Sequence, residues 1–319
     1  MAVSEVAAAA AGKKTKTRFL LFLLLLAGAN FIWSAQGTAV KKLEPFWGAY
    51  PIATTFMPFY VTTVLLVPYL IYKRRTNPQS VRPTWGDWKH FAAAGIFGQV
   101  LAQLGMTWGI LRSLASNGAI LNLMIPVITA VLASVLLKER ITRLRIACLL
   151  IGLVGAMLMS VRDLQSASLA TGYLFGTALI LVGCTGSSFY NVYCKGLLER
   201  FQEVEILIFS YITATIATVP LLIWLEPGAF AQIAQFDVQA WLAFCFLAVF
   251  MYGVSMLLFF YVLQFLPVTV ASASLYLVPV FGVVLAMTLL GERLGMLTMA
   301  GAAVVLVSTI LIMKYDPSA

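Results

Sequence analysis

Ten uncharged side chains, set in apolar surroundings, are able to make directed contacts: Asn30, Trp33, Gln99, Gln103, Asn122, Ser187, Asn191, Tyr252, Ser255 and Tyr276. Their chemistry is hydrogen bonding and aromatic contact, not proton transfer or nucleophilic attack. Asn30, Trp33 and Gly37 recur at helical spacing and share a face, and so do Gln99 and Gln103, four residues apart. Tyr252, Ser255 and Phe259 form a third such face. As a set these residues predict a ring of substrate contacts. Singly, each also suits an interhelical hydrogen bond of the kind that ties membrane bundles together.

Groups that would do covalent chemistry are missing from these positions. Every Asp and Glu falls at the end of an apolar stretch, in a loop or in a tail, and the single histidine, His90, falls at the start of one. An ionisable group deep in a membrane span would be a functional candidate by default, and none is found there. Paired intramembrane aspartates, a zinc-binding HExxH motif and a Ser/His pair are all absent. Cys148, Cys184, Cys194 and Cys245 show no CxxC spacing and no accompanying histidines, so no disulfide framework and no metal site is expected. GKKT at Gly12 lacks the earlier glycine of a phosphate-binding loop. The expectation is a protein without cofactor that is not an enzyme.

The elements that position these side chains follow from composition. Of 319 residues 61% are hydrophobic and 10% charged, against about 25% charged in soluble domains. That excludes a soluble enzyme, a disordered scaffold and a nucleic-acid binder, and leaves an all-α integral membrane protein. Ten apolar stretches are long enough to span: 19–40, 46–72, 89–110, 117–137, 143–161, 173–194, 204–225, 239–263, 268–290 and 296–314. KKTKTR followed by FLLFLLLL imitates a cleavable leader, but apolar sequence continues to Val40, so it is read as the first span. With the N-terminus in the cytoplasm, sixteen of the 21 Lys and Arg lie on that side and five opposite. This positive-inside bias predicts an even number of spans and both termini cytoplasmic.

A shift of 153 residues superposes 126–140 on 279–293 with nine identities in fifteen positions, including Pro126 with Pro279 and Glu139-Arg140 with Glu292-Arg293. The same shift pairs Lys42 with Lys195 and Gln99 with Tyr252. Two copies of a five-span unit, 19–161 and 162–314, are predicted between tails 1–18 and 315–319. Five is odd, so the second copy must run inverted, an arrangement typical of secondary transporters. Pro126 and Pro279 are candidate kinks or hinges, because proline removes a backbone donor. Glu139, Arg140, Glu292 and Arg293 are expected to anchor helix ends.

This doubled P-x(12)-E-R block, in two five-span repeats, resembles the EamA family of the drug/metabolite transporter superfamily, over about Phe19 to Met313. The resemblance implies export of amino acids or other small metabolites, through a cavity lined by the first, third and fourth helices of each repeat. An uncharged lining favours a neutral or zwitterionic substrate. A sugar-phosphate or nucleotide-sugar exchanger is the alternative, with Lys42 and Lys195 as a clamp, although lysines at span ends commonly snorkel to headgroups. A channel would show charge rings or a repeated carbonyl filter. The expected partners are a small-molecule substrate and the bilayer, with no nucleic acid, the chain acting as a monomer or dimer in the cell's inner membrane. GMTWG, Gly105–Gly109, is expected to bring helices close within the bundle.

Overall fold

The computed structural model describes residues 20–76, 83–112, 121–159, 171–290 and 296–315. These residues are helical nearly throughout, as a chain in lipid must be when each segment has to satisfy its own backbone groups. In chain order the helices are α1 (Leu20–Trp47), α2 (Pro51–Thr76) and α3 (Trp85–Arg112), then α4 (Met124–Leu136), α5 (Arg143–Met159) and α6 (Thr171–Leu197). They continue as α7 (Glu203–Leu225) and α8 (Val238–Leu263). Helix α9 is built in three pieces, Val268–Ala273, a tighter 3-10 turn Ser274–Tyr276, and Leu277–Leu290. Helix α10 is Met296–Tyr315. Five of these, α1, α2, α3, α7 and α8, are long and apolar enough to cross a membrane by length and composition.

Local chemistry moves several boundaries. Helix α1 runs on past Val40 to Trp47, whose indole N–H donates to the Ala229 carbonyl at 3.0 Å. Helix α3 starts at Trp85 because the Asp87 carboxylate accepts from both the Thr84 amide and the Thr84 hydroxyl, each at 2.6 Å. Glu226, just beyond α7, caps α2 by accepting from the amides of Ile52 (3.0 Å) and Ala53 (2.8 Å). Burial pushes that carboxyl up from its ordinary pKa, and the two amides pull it back down. Pro126 and Pro279 are each the third residue of a helical piece, in Met124–Leu136 and Leu277–Leu290. In a first turn the missing N–H has no helical partner to lose, so Pro126 marks where α4 starts, whereas Pro279 follows the 3-10 turn Ser274–Tyr276 inside α9. Glu292, Arg293 and the basic tail 1–18 lie outside the described residues.

The two halves resemble each other in more than sequence. Helix α3 contains a π-helical segment, Ala94–Val100, and α8 contains another, Phe246–Val254. The 153-residue shift carries the first onto 247–253, inside the second. Helices related by the shift also pack on each other, α2 on α7 and α5 on α10. Helices α3 and α6 approach closely through glycines; a Cβ added at Gly105 would lie 2.8 Å from the Gly183 amide nitrogen and 2.8 Å from the Leu179 carbonyl oxygen.

One end of the bundle is closed by a polar network that ties the halves together. Lys73 pairs with Glu203 at 2.9 Å, and Gln264 donates to the other oxygen of Glu203 at 2.8 Å. Lys195 donates to the carbonyls of Leu263 (2.7 Å) and Gln264 (3.3 Å). Arg74 pairs with Glu205 at 3.0 Å, and Arg200 with Asp87 at 2.6 Å. Glu139 accepts from the Val268 amide (3.0 Å) and the Thr269 hydroxyl (2.9 Å) while pairing with Arg145 (3.3 Å).

Candidate substrate cavity

Between α1, α3, α4, α6, α8 and α9 lies a cavity. These are the first, third and fourth helices of each half. Trp33 and Gln36 enter it from α1, Gln99, Ala102, Gln103 and Met106 from α3, and Asn122 and Ile125 from the start of α4. Ser187, Tyr190 and Asn191 enter from α6, Met251 and Met256 from α8, and Leu275 and Val278 from α9. Among the described residues the lining carries no charged side chain.

Six of the ten residues singled out by sequence meet here: Trp33, Gln99, Gln103, Asn122, Ser187 and Asn191. Gln103 donates to the Gln99 side-chain oxygen at 3.3 Å, which fixes the two amides relative to each other. The Trp33 ring sits 5.3 Å from the Phe259 ring, so Phe259 props the indole at the cavity wall. The remaining four do not line it, and each is engaged elsewhere. Asn30, fully buried, donates to the Leu26 carbonyl (2.7 Å) and to the Ser274 hydroxyl (3.0 Å), joining α1 to the 3-10 turn of α9. The Tyr276 hydroxyl donates to the Leu149 carbonyl at 3.1 Å. The Tyr252 carbonyl accepts from the Tyr211 hydroxyl at 2.9 Å, and its ring packs edge-on against Phe59 at 5.4 Å. Ser255 bonds back to the Met251 carbonyl one turn earlier.

Sequence reasoning passed over Gln36, Tyr190 and the methionines. Gln36 is the sharpest omission, since its side chain lines the cavity and its Nε2 has no hydrogen-bond partner among the described residues. The signal was available: Gln36 follows Trp33 by one helical turn, and Tyr190 follows Ser187 by another. Tyr190 spends its hydroxyl on Ser210 at 2.9 Å, so the ring rather than the oxygen is its contribution to the wall. Met106, Met251 and Met256 add flexible, polarisable surface that adapts to apolar shapes.

The paired lysines are not neighbours in the cavity. Lys42 donates to Gln239 at 2.7 Å, and Lys195 is held by the carbonyls at the end of α8. His90 contacts the Tyr193 hydroxyl at 2.6 Å near the start of α3, away from the lining. Among the described residues no group of three or more His, Cys, Asp or Glu could hold a metal.

A repeated bundle of apolar helices around an uncharged polar cavity defines a multi-pass integral membrane protein of the transporter class. The chain belongs to the EamA-like transporter family, whose model matches it twice, over residues 20–161 and 174–314. An "Uncharacterized transporter" of Archaeoglobus fulgidus is 23% identical over 91% of this chain and 98% of its own length. A "Probable terminal-alkyne amino-acid exporter" of Streptantibioticus cattleyicolor is 27% identical over 72% of this chain and 75% of its own length. A solved crystal structure shares the fold with a TM-score of 0.71 at 17% identity, covering 91% of this chain and 94% of the other. The names of the family and of these relatives point to transporters rather than enzymes.

Proposed function

We propose that this protein is a secondary transporter, acting as an exporter, for small neutral or zwitterionic metabolites such as amino acids, working by alternating access without ATP. Ten spans form two inverted repeats, 19–161 and 162–314, with both termini cytoplasmic and the chain in the cytoplasmic membrane as a functional monomer. The single observation that carries the reading is the uncharged cavity at the junction of the two halves, lined by amides, one indole and methionines. An amino acid's ammonium and carboxylate find acceptors and donors in Gln36, Gln99, Gln103, Asn122 and Asn191, while its side chain meets Trp33, Tyr190 and the methionines. The pairing of equivalent helices, α2 with α7 and α5 with α10, supports an approximate two-fold axis about which the halves rock. The sidedness of Lys and Arg supports the orientation.

Pro126 sits at the start of α4 on this reading, and the 3-10 turn Ser274–Tyr276, which ends three residues before Pro279 and contains the lining residue Leu275, is the stronger hinge. The test is counterflow in proteoliposomes preloaded with unlabelled metabolites. Transient accumulation of a labelled aromatic or other neutral amino acid is expected. Linear, non-saturating flux would identify a channel, and accumulation of sugar phosphates alone would replace the amino-acid reading.

A further inference from the structure

A second, open cavity lies where the α4–α5 loop meets the ends of α6 and α8. It shares no lining residue with the substrate cavity. Glu139, Arg140, Arg145 and Lys195 supply its charge, and Phe265 and Leu266 supply an apolar wall. Among the described lining residues three cations therefore face one carboxylate, and that carboxylate is already committed: Glu139 caps α9 at Val268 and Thr269 and pairs with Arg145. Arg145 is only 2% exposed and also donates to the Arg140 carbonyl at 3.1 Å, so it is a fixed part of the wall. Lys195 uses two donors on the Leu263 and Gln264 carbonyls, and an ammonium has three. The Arg140 guanidinium has no hydrogen-bond or ion-pair partner among the described residues.

We propose that this cavity binds the phosphate of an anionic lipid headgroup. A guanidinium fork beside an ammonium matches phosphate oxygens in both charge and geometry, and basic pockets between membrane helices suit acidic headgroups. The lipid source follows from the apolar side. Phe265 is exposed and stacks on Phe22 of α1 at 5.4 Å and against Tyr261 at 5.4 Å, forming an aromatic strip that runs from the cavity along the outside of the bundle. A free phosphate has no use for that strip; an acyl chain does. This site goes beyond the transport reading and stands whether or not an amino acid is the cargo.

The test is thermal unfolding of the purified full-length protein in neutral detergent, titrated with phosphatidylglycerol or phosphatidylcholine. Phosphatidylglycerol is expected to raise the midpoint where phosphatidylcholine does not. Arg140→Gln should need about fivefold more phosphatidylglycerol for half the effect. Arg143→Gln removes an equal charge from the same segment but not from the cavity wall, and should respond as wild type. Equal responses of wild type and Arg140→Gln, or equal weakening by Arg143→Gln, would overturn the site. Inorganic phosphate or glycerol 3-phosphate matching the lipid at equal concentration would overturn the lipid assignment. If Arg140→Gln did not fold, native mass spectrometry of the wild type decides: retained phosphatidylglycerol is expected, and no preference over phosphatidylcholine would refute the proposal.

Discussion

The carboxylate of Glu139, just beyond the end of α4, accepts a hydrogen bond from the backbone N–H of Val268 at 3.0 Å, at the start of α9. One side chain of the first half thus caps a helix of the second, and its second oxygen takes the Thr269 hydroxyl and Arg145. Glu139 is an anchor between repeats, not merely a helix end at a membrane surface.

Glu139→Ala removes that cap and one ion-pair contact of buried Arg145. Loss of a helix cap costs about 1 kcal/mol, and the lost contact to Arg145 adds to it. A clear fall in unfolding midpoint is expected in detergent, with Glu139→Gln falling less because it keeps an acceptor. A midpoint equal to wild type for Glu139→Ala would remove this role.

Gln36 and Gln99 are expected to hold substrate. Gln36→Ala and Gln99→Ala should each raise the half-saturating substrate concentration about fivefold to tenfold, the scale of one ordinary hydrogen bond. Expression and unfolding midpoint should change little. Counterflow kinetics provide the measurement, and unchanged half-saturation in both variants would dismiss this cavity as the substrate site. Tyr252→Phe should leave half-saturation unchanged, because its ring packs against Phe59 outside the lining.

Gly105→Ala is expected to destabilise α3 against α6. Its new methyl would press on backbone atoms of Gly183 and Leu179 at 2.8 Å, and backbone cannot swing aside as a flexible side chain can. Overpacking of this kind costs about 1–3 kcal/mol. Thermal melts of Gly105→Ala beside Gly28→Ala, where the nearest atom is the Leu258 side chain at 3.8 Å, separate the close contact from a general glycine effect.

Lys42→Gln should leave transport of a neutral amino acid within about twofold of wild type, since Lys42 is bonded to Gln239 and does not line the substrate cavity. The same variant tests the phosphate-exchanger alternative. Sugar-phosphate counterflow that Lys42→Gln abolished would restore a lysine clamp.

Much of the design is visible in the sequence because lipid enforces it. Composition and the 153-residue repeat point to a helical membrane protein built twice, and the family model matches both copies. Uncharged polar and aromatic residues in apolar stretches also named six of the cavity residues, and helical spacing put Gln99 and Gln103 on one face. Periodicity says which residues share a face. It does not say what that face meets.

That was decided by packing. Gln99 and Tyr252 are equivalent under the repeat and both lie in π-helical segments, yet Gln99 enters the cavity while Tyr252 packs on Phe59 and Met251 takes the place beside the cavity. On α1, Trp33 and Gln36 point inward while Asn30 turns to Ser274. The bilayer dictates helices through the backbone, a local requirement that sequence carries in full. The rotation of each helix about its own axis depends on shape-matched neighbours far away in the chain, and only the assembled structure contains them.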